Sequence, residues 1–489
     1  ASLGAIWSSC SPDFGVQGIL DRFQQIDPRF LFVTDYYLYK GKKHFIQEKL
    51  TSVQAALPTL EKTILFSYDD QAISPLDRTE AWGSIRQSFP PKPIQFERFP
   101  FNTPLYIMFS SGTTGAPKCI VHGAGGTLIQ HLKEHRLHTN ISAGDRVFYF
   151  TTCGWMMWHW QMSALASGAT LLLYDGSPFY PDGHILFHYA AQEKMTLFGT
   201  AAKYIAALQN EGLCPIEAWD LSALKTMTST GSPLAPESFD YVYSHIKKDI
   251  KLVSLSGGTD IISCFVLGSP LKPVIRGEIQ CAGLGMNVQV FDDKGQPLIG
   301  DKGELVCSNP FPSRPLGFWH DPHHEKYHKA YFDKFSNVWC HGDFCAQTPK
   351  GGFVIYGRSD AVLNRGGVRI GTAEIYRQVE KIVEVEESIA VGQPYHDDIR
   401  IILFVKMNAP HKLTDALRQK IAKQIRKETT PRHVPDLIID VPDIPRTKNG
   451  KIVELAVSAV IQGHPIKNKE ALQNPEILDF FRDLDALQS

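Results

Sequence analysis

The segment with the clearest chemical potential is residues 106–118, where the apolar run YIMF passes directly into SSGTTGAPK. Glycine can adopt backbone conformations that aim N–H groups at an anion. Serine and threonine hydroxyls donate hydrogen bonds, and lysine supplies positive charge. The pattern GxxxxGK[ST] of a Walker A loop is absent. We therefore predict a different polyphosphate-binding loop, formed by Ser110, Ser111, Gly112, Thr113, Thr114, Gly115 and Lys118.

Shorter motifs follow this loop towards the C-terminus. They are TGSPLAPE at 230–237, SGGTD at 256–260, HGD at 341–343, YGRSD at 356–360, GGVRIGTAE at 366–374 and IPRTKNGK at 444–451. Asp343 offers the two acceptor oxygens that a vicinal diol requires. A glycine at 367 leaves backbone without a side chain, which suits the wall of a narrow channel. Each motif alone is common in turns, so the information lies in their order.

In this order the motifs resemble those of the adenylate-forming family, which includes acyl-CoA synthetases, peptide-synthetase adenylation domains and firefly-type luciferases. The resemblance covers nearly all of the 489 residues. It implies an acid–thiol ligase that makes an acyl-adenylate from ATP and a carboxylic acid and then transfers the acyl group to coenzyme A. It also implies Mg2+ as the metal cofactor.

The same resemblance implies a role for individual residues. Besides the 110–115 loop, the implied ATP-binding residues are Gly231, Ser232, Pro233, Ser256, Gly257, Gly258, Thr259, Asp343, Arg358 and Arg369. Catalytic roles are implied for Lys451, Thr259 and Lys118, and CoA contacts for Gly366 and Gly367. Asp260 is the implied metal ligand, one methylene shorter than the glutamate of the family motif, and Asp360 is the implied hinge.

The acid substrate must be inferred from other positions. Gly154 and Trp155 resemble the GW pair of short-chain acyl-CoA synthetases, whose indole borders the carboxylate pocket, although a tryptophan in an apolar run is also a common core residue. Gly257 stands where acetate-specific relatives carry tryptophan, which predicts room for a longer acid. The chain is similar overall to members of the family that use acetoacetate, so acetoacetate is the predicted acid.

Two alternatives to this function stay open. One is a synthetase for another short-chain acid, such as propionate, butyrate or a branched acid. The other is a catalytically incomplete nucleotide-binding fragment, because the chain opens with ASLGAIWSSC, without methionine, as though it continued a larger domain.

Alternating strand-like and helix-like segments predict an α/β fold that positions these motifs. Runs at 170–174, 197–200 and 251–254 predict buried strands of parallel sheets. The turn-rich sequence after 278 predicts a β-rich, antiparallel or barrel-like subdomain at about 278–357, inside a large domain of residues 1–357. Residues 358–489 predict a smaller, mobile α+β domain. A helix is predicted to start at Pro322, with Asp321 as its N-cap.

Composition narrows the possible partners and location. The formal net charge of −1 argues against an overall positive potential that would attract nucleic acid or an anionic membrane. Small molecules are therefore the expected partners. Nine cysteines without a CxxC pair indicate reduced thiols, and no apolar run is long enough to span a membrane. We therefore expect a cytosolic protein. The sequence indicates no oligomeric state.

Overall fold

The computed structural model describes residues 2–69, 77–110, 117–365, 368–395, 398–448, 450–466, 469–482 and 484–488, with backbone alone at 364, 368, 369, 398, 470 and 488. No helix within these ranges is long and apolar enough to cross a lipid bilayer.

The N-terminal region contains a three-stranded parallel sheet and a hairpin. Its elements are α1 (Val16–Phe23), β1 (Phe30–Thr34), β2 (Tyr36–Tyr39), β3 (Lys42–Phe45), α2 (Gln47–Ala56), β4 (Lys62–Phe66), β5 (Thr79–Ala81), α3 (Trp82–Ser88) and β6 (Pro104–Phe109). The sheet order is β1-β4-β5, and β2 pairs with β3. Helices α1 and α2 bury Leu20, Phe23 and Val53 in a shared apolar cluster.

The central region is built on a five-stranded parallel sheet of order β12-β11-β10-β8-β9. Its elements are β7 (Cys119–Gly123), α4 (Ala124–Lys133), β8 (Arg146–Tyr149), α5 (Met156–Ser163), β9 (Thr170–Leu172), α6 (Ile185–Gln192), β10 (Leu197–Ala201), α7 (Ala202–Asn210), α8 (Pro215–Ala218), β11 (Thr226–Thr230), α9 (Pro236–Tyr241) and β12 (Lys251–Ser254). Helices on the sheet bury continuous apolar strands such as β10, as expected of parallel sheets.

The strands predicted at 197–200 and 251–254 are confirmed, whereas the strand predicted at 170–174 ends early, at Leu172. Strand β9 lies at one edge of the sheet and pairs only with β8. The last pair joins Leu172 of β9 to Phe148 of β8. Beyond that point Leu173 is 56% exposed. The apolar run at this sheet edge therefore predicted a strand that is longer than the one in the structure.

The next region is mostly antiparallel, as its turn-rich sequence predicts. Its elements are β13 (Ser256–Gly258), β14 (Ser263–Leu267), β15 (Cys281–Ala282), β16 (Val288–Phe291), β17 (Lys302–Cys307), β18 (Gly317–Phe318), α10 (Glu325–Tyr331), β19 (Trp339–Gln347) and β20 (Phe353–Arg358). Strands β16-β17-β19-β20 form one antiparallel sheet over a core that includes Val290, Leu305 and Phe353. Strands β13-β14-β15 and β18-β7-β6 form two further antiparallel sheets.

The predicted start of α10 is wrong by three residues. The helix begins at Glu325, after His324, whose φ of 56° is left-handed and non-helical. The Asp321 carboxylate still accepts hydrogen bonds from the backbone N–H groups of Tyr327 (2.9 Å) and Lys326 (3.3 Å). Asp321 therefore caps the helix from a preceding turn instead of from the N-cap position.

The C-terminal part contains a three-stranded sheet between two apolar cores. Its elements are β21 (Leu363–Arg365), β22 (Val368–Ile370), α11 (Thr372–Val379), β23 (Val385–Tyr395), β24 (Asp398–Met407), α12 (Asp415–Glu428), β25 (Leu437–Asp440), α13 (Glu454–Ile461) and α14 (Asp485–Gln488). Alternate residues of β24 point to opposite cores: Ile401 and Leu403 to the side of α11 and α12, Ile402 and Phe404 to the side of α13.

Helix α12 shows why the sequence folds in this way. The Thr414 hydroxyl caps the helix by accepting a hydrogen bond from the N–H of Leu417. Leu417, Ile421 and Ile425, spaced four apart, are the buried face. Each buried side chain of this size stabilises the fold by about 1.5–3 kcal/mol. The α/β class with a following α+β part is confirmed, while the boundary between residues 357 and 358 stays a prediction.

Candidate active site

Two predicted ATP-binding segments lie at the carboxyl edge of the parallel sheet. Residues 231–233 follow β11, and residues 256–258 follow β12. The Thr230 hydroxyl donates a hydrogen bond to the Leu255 carbonyl (3.2 Å), which ties the two strand ends together. Gly231 has a φ of +90° and open space beside it. In open α/β sheets, ligands bind at this edge.

Strands β6 and β7 hold the two ends of the predicted polyphosphate loop together. The N–H of Ser110 donates to the Lys118 carbonyl (3.1 Å), and the N–H of Lys118 donates to the Ser110 hydroxyl (3.0 Å). The Lys118 ammonium lies over the rings of Tyr331 (5.7 Å) and Phe318 (5.8 Å). The predicted site residues outside the described ranges are Ser111, Gly112, Thr113, Thr114, Gly115, Gly366, Gly367 and the side chain of Arg369.

Asp260 is a carboxylate in cationic surroundings. It accepts a hydrogen bond from the Tyr331 hydroxyl. Burial opposes the charge, but His341, this hydrogen bond, Lys118 and Arg358 together lower the pKa of Asp260. The carboxylate is therefore ionised at neutral pH.

His122 positions the neighbouring residue, Thr259. Its Nε2 lies 2.9 Å from the Thr259 carbonyl oxygen, and because a carbonyl only accepts hydrogen bonds, Nε2 carries the proton. Burial is the main reason that the pKa of His122 is lowered to about 3. The ring is therefore a neutral donor that fixes the backbone before Asp260.

The buried carboxylate of Asp343 and the half-exposed guanidinium of Arg358 form the polar centre of the site. Arg358 Nη1 donates to Asp343 Oδ1 (3.0 Å) and to the carbonyl of His341 (3.0 Å), and the Ser256 hydroxyl lies 3.4 Å from Asp343 Oδ2. Burial opposes the charge on Arg358, yet Asp343, Asp360 and Asp260 raise its pKa. Gly342 adopts a φ of +78°, and a Cβ there would lie 2.8 Å from Arg358 Nη2, so a side chain would displace the guanidinium.

Thr447 and Lys451 close a turn of the C-terminal part, called here the 447–451 turn, of which residue 449 lies outside the described ranges. The turn places Lys451 within electrostatic range of Asp343 and Arg358. The N–H of Thr447 donates to the Lys451 carbonyl (2.8 Å), and the N–H of Lys451 donates to the Thr447 hydroxyl (3.1 Å). The Lys451 side chain is accessible to solvent, although protein surrounds it in the cleft. Burial and Arg358 lower the pKa of Lys451, while Asp343 and Asp260 raise it.

Trp155 and Gly257 both lie close to neighbouring elements, and their predicted place in the acid pocket stays a prediction. The Trp155 ring packs edge-on against Phe14 (6.0 Å) in an apolar cluster. A Cβ on Gly257 would lie 2.1 Å from the Ser263 carbonyl oxygen and 2.5 Å from Cys264 Cα. The missing side chain at 257 therefore allows β13 and β14 to approach each other.

The described residues thus bring Lys118, Asp260, Asp343, Arg358 and Lys451 into one charged cleft. Asp360 lies beside it, with its carboxylate 3.6 Å from Arg358 Nε. His122 and Tyr331 were not predicted, because their partners are distant in the chain. His122 and Thr259 are 137 residues apart, and Tyr331 and Asp260 are 71 residues apart. No local pattern marks such pairs.

The donor set fits a nucleotide-borne Mg2+ better than a metal held by protein alone. Among the described residues, no group of three or more His, Cys, Asp or Glu side chains could hold a metal ion. Mg2+ is usually held by one or two carboxylates together with substrate phosphates and water. The ionised carboxylate of Asp260 is suited to that role.

Comparison with known proteins gives the context of this site. The family model described as AMP-binding enzyme matches residues 1–315. The chain is 58% identical to the acetoacetyl-coenzyme A synthetase of Rhizobium meliloti (strain 1021) over 490 aligned residues, which cover 100% of the chain and 75% of that relative. It is 48% identical to the acetoacetyl-CoA synthetase of Gallus gallus, again covering 100% of the chain and 75% of the relative.

Solved structures agree with the sequence comparison. The acetoacetyl-CoA synthetase of Streptomyces lividans superposes with a TM-score of 0.94 at 41% identity, covering 100% of this chain and 75% of that one. An anthranilate CoA ligase in complex with anthranoyl-AMP matches with a TM-score of 0.78 at 20% identity, which shows the fold alone. The chain therefore belongs to the AMP-binding enzymes and, within them, to the family of the acetoacetyl-CoA synthetases.

Proposed function

We propose that this chain ligates acetoacetate to coenzyme A at the expense of ATP, through an acetoacetyl-adenylate, with release of AMP and pyrophosphate. The observation that carries the proposal is the cleft in which Lys451 lies within electrostatic range of Asp343, Arg358 and Asp260. It combines a diol acceptor with cations suited to phosphate, in a chain whose relatives are acetoacetyl-CoA synthetases.

In the first half-reaction, a carboxylate oxygen of the acid attacks the α-phosphorus of ATP, and the bond to pyrophosphate breaks. The acid is already ionised, so the site needs no general base. It must align the reactants and stabilise negative charge that develops on phosphate. We assign the ribose hydroxyls to Asp343, and the phosphates to the 110–115 loop, Lys118, Thr259 and Lys451.

Arg358 serves this step by holding Asp343. Its guanidinium binds one oxygen of Asp343 and leaves the carboxylate facing the cleft, beside Ser256. We assign adenine binding to residues 231–233 and the Mg2+ ligand to Asp260. The bound ion would neutralise part of the phosphate charge.

In the second half-reaction, the sulfur of the CoA thiolate attacks the acyl carbon of the adenylate, and the bond to AMP breaks. We propose that residues 358–489 rotate about Asp360 between the two steps, so that the Gly366–Gly367 segment replaces Lys451 at the site.

The nine cysteines are all free thiols, which supports the cytosol as the location.

The acid is tested by ATP–pyrophosphate exchange with acetoacetate, acetate, propionate, butyrate and 3-methylbutyrate, followed by thioester formation with CoA. We expect acetoacetate to give a kcat/KM at least ~10-fold above the other acids, equal to about 1.4 kcal/mol of discrimination. The control variant, Asp343→Ala, should lose exchange with every acid.

A higher kcat/KM with another acid would identify that acid, and not acetoacetate, as the substrate. ATP binding without exchange for any of the five acids would favour the nucleotide-binding fragment. The first outcome shows pyrophosphate exchange and the second shows none. The exchange measurement therefore distinguishes a different acid substrate from a chain that does not form adenylate.

A further inference from the structure

A cluster of charges joins the C-terminal part to the central sheet close to Lys451. Lys203 lies in the first turn of α7, directly after the carboxyl end of β10. Its ammonium forms an ion pair with Oε1 of Glu387, in β23, and Arg446 forms an ion pair with Oε2 of the same carboxylate. The Glu387 side chain is only 13% exposed. One buried carboxylate thus binds a cation from each side of the interface.

Arg446 is directly connected to the turn that carries Lys451. Arg446 and Ile452 form a β-bridge at the base of the 447–451 turn. The Arg446 N–H also donates to Asn474 Oδ1 (3.2 Å), and its Nε donates to the Ile444 carbonyl (3.3 Å). The base of the turn is therefore held in place through Arg446.

The stem of Lys203 also lies near Gly450 in this turn. Gly450 has a φ of +80°, and a Cβ at this position would lie 3.8 Å from Lys203 Cδ. Lys203 is thus related to the turn in two ways. Its methylene groups lie near Gly450, and its ammonium is connected to Arg446 through Glu387. Since long lysine side chains bury their stems while the ammonium pairs elsewhere, both contacts are compatible.

Lys203 lies in a partly buried environment that contains charges of both signs. Burial lowers the pKa of Lys203 to about 7, and Arg446 lowers it as well, whereas Glu380 and Asp443 raise it. The direct contact with the Glu387 carboxylate opposes the loss of the proton.

We propose that Lys203 is a positioning residue for adenylate formation, which holds the 447–451 turn through Glu387 and Arg446 so that Lys451 reaches the site. The proposal rests on the proposed function. Glu387 and Arg446 both belong to the C-terminal part, so a rotation of that part keeps their pair and breaks the pair with Lys203. The contact therefore belongs to the adenylate-forming arrangement alone.

Lys203→Met tests this proposal, because methionine keeps an apolar stem and removes the charge. We expect the kcat of adenylate formation to fall about 10- to 100-fold with little change in the KM for ATP. Thioester formation from a supplied acyl-adenylate should proceed at the normal rate or faster. Lys203→Arg should restore most of the adenylation rate, since arginine can pair with the same carboxylate.

The matched control is Lys225→Met. Lys225 pairs with the largely buried carboxylate of Asp145 (2.9 Å), and both residues belong to the central region. This variant should leave both half-reactions unchanged. Normal adenylation by Lys203→Met, or equal losses in both half-reactions, would overturn the proposal. Glu387→Gln should repeat the selective loss, and it provides the same test if Lys203→Met does not fold.

Hydrogen–deuterium exchange gives a second readout that does not depend on activity. Backbone amides of residues 444–452 should exchange faster in Lys203→Met than in the parent chain, and no faster in Lys225→Met. Unchanged exchange in Lys203→Met would overturn the positioning role. An inactive parent chain would contradict only the proposed function, and the exchange experiment would still decide the role of Lys203.

Discussion

The ammonium of Lys451 interacts electrostatically with Asp343 and Asp260 but forms no ion pair with a described side chain. A lysine ammonium is a compact charge on a flexible stem, which suits phosphate charge that moves during reaction. We predict that Lys451→Ala slows adenylate formation by about 100- to 10,000-fold, equal to roughly 3–5 kcal/mol of transition-state stabilisation. Single-turnover pyrophosphate release measures this loss.

Thioester formation from a supplied acyl-adenylate should remain near normal in Lys451→Ala. Lys448→Ala is the matched control, because Lys448 belongs to the same turn but lies over the Phe14 ring (4.5 Å). Its adenylation rate should stay within a few-fold of the parent chain. Comparable losses of both half-reactions in Lys451→Ala would show that Lys451 serves both steps or supports the turn.

Among individual residues, the ordered motifs pointed to residues that the fold brings together, whereas residues that act through distant contacts were not predicted. Asp343 and Arg358 belong to adjacent motifs, and they do meet in the site. Tyr331 and Lys203 carry no motif, because a hydroxyl on a short helix and a lysine after a strand occur in most proteins. Their roles depend on which surfaces the fold brings together.

The hairpin of β13 and β14 controls the position of Thr259 and Asp260, which lie between its strands. Because a Cβ on Gly257 would lie 2.1 Å from the Ser263 carbonyl oxygen, Gly257→Ala must push the strands apart. We predict a loss of about 1–3 kcal/mol in the free energy of unfolding. Adenylation should fall with every acid alike. Urea unfolding and the acid panel measure the two effects.

The adjacent Gly258→Ala provides the comparison for stability. A Cβ at this position would make only ordinary contacts, 3.4 Å from Asp260 Oδ2 and 3.5 Å from the His341 ring. Its free energy of unfolding should change by less than about 0.5 kcal/mol. If Gly257→Ala instead kept full stability and shifted preference towards smaller acids, residue 257 would line the acid pocket after all.

Strands were predictable where the apolar run and the paired length coincide. Strand β10, which pairs on both sides, and the edge strand β12 both match their apolar runs. The errors fall at ends, where tertiary contacts decide. Strand β9 stops where its single partner stops, and α10 starts after a left-handed His324 that no propensity indicates.

Across the whole molecule, buried histidines connect folding to pH. His122, His131, His135, His138 and His159 are each at most 4% exposed, and burial is the main cause of their lowered pKa values. The lowered pKa is about 3 for His122 and about 4 for His159. These rings stay neutral in the folded chain at pH values where the unfolded chain protonates them.

The unfolded state therefore binds more protons below pH ~6.5, so acidification favours unfolding. Each such histidine contributes a loss of up to about 1.4 kcal/mol per pH unit, which continues until the pH reaches its folded pKa. We predict a steep fall in the free energy of unfolding between pH 6.5 and pH ~5.5. Most carboxylates titrate below this interval, so urea unfolding there reports mainly on histidine.

A single buried ring should account for a measurable share of that slope. His135 is fully buried against the edge of Trp160 (4.3 Å), and its pKa lies well below the usual value because of burial. In His135→Leu, the slope between pH 6.5 and ~5.5 should decrease by up to about 1.4 kcal/mol per pH unit, because one proton fewer is taken up on unfolding. His464→Leu, at an exposed position, should leave the slope unchanged. Equal slopes for the parent chain and His135→Leu would mean that His135 binds the same number of protons in both states.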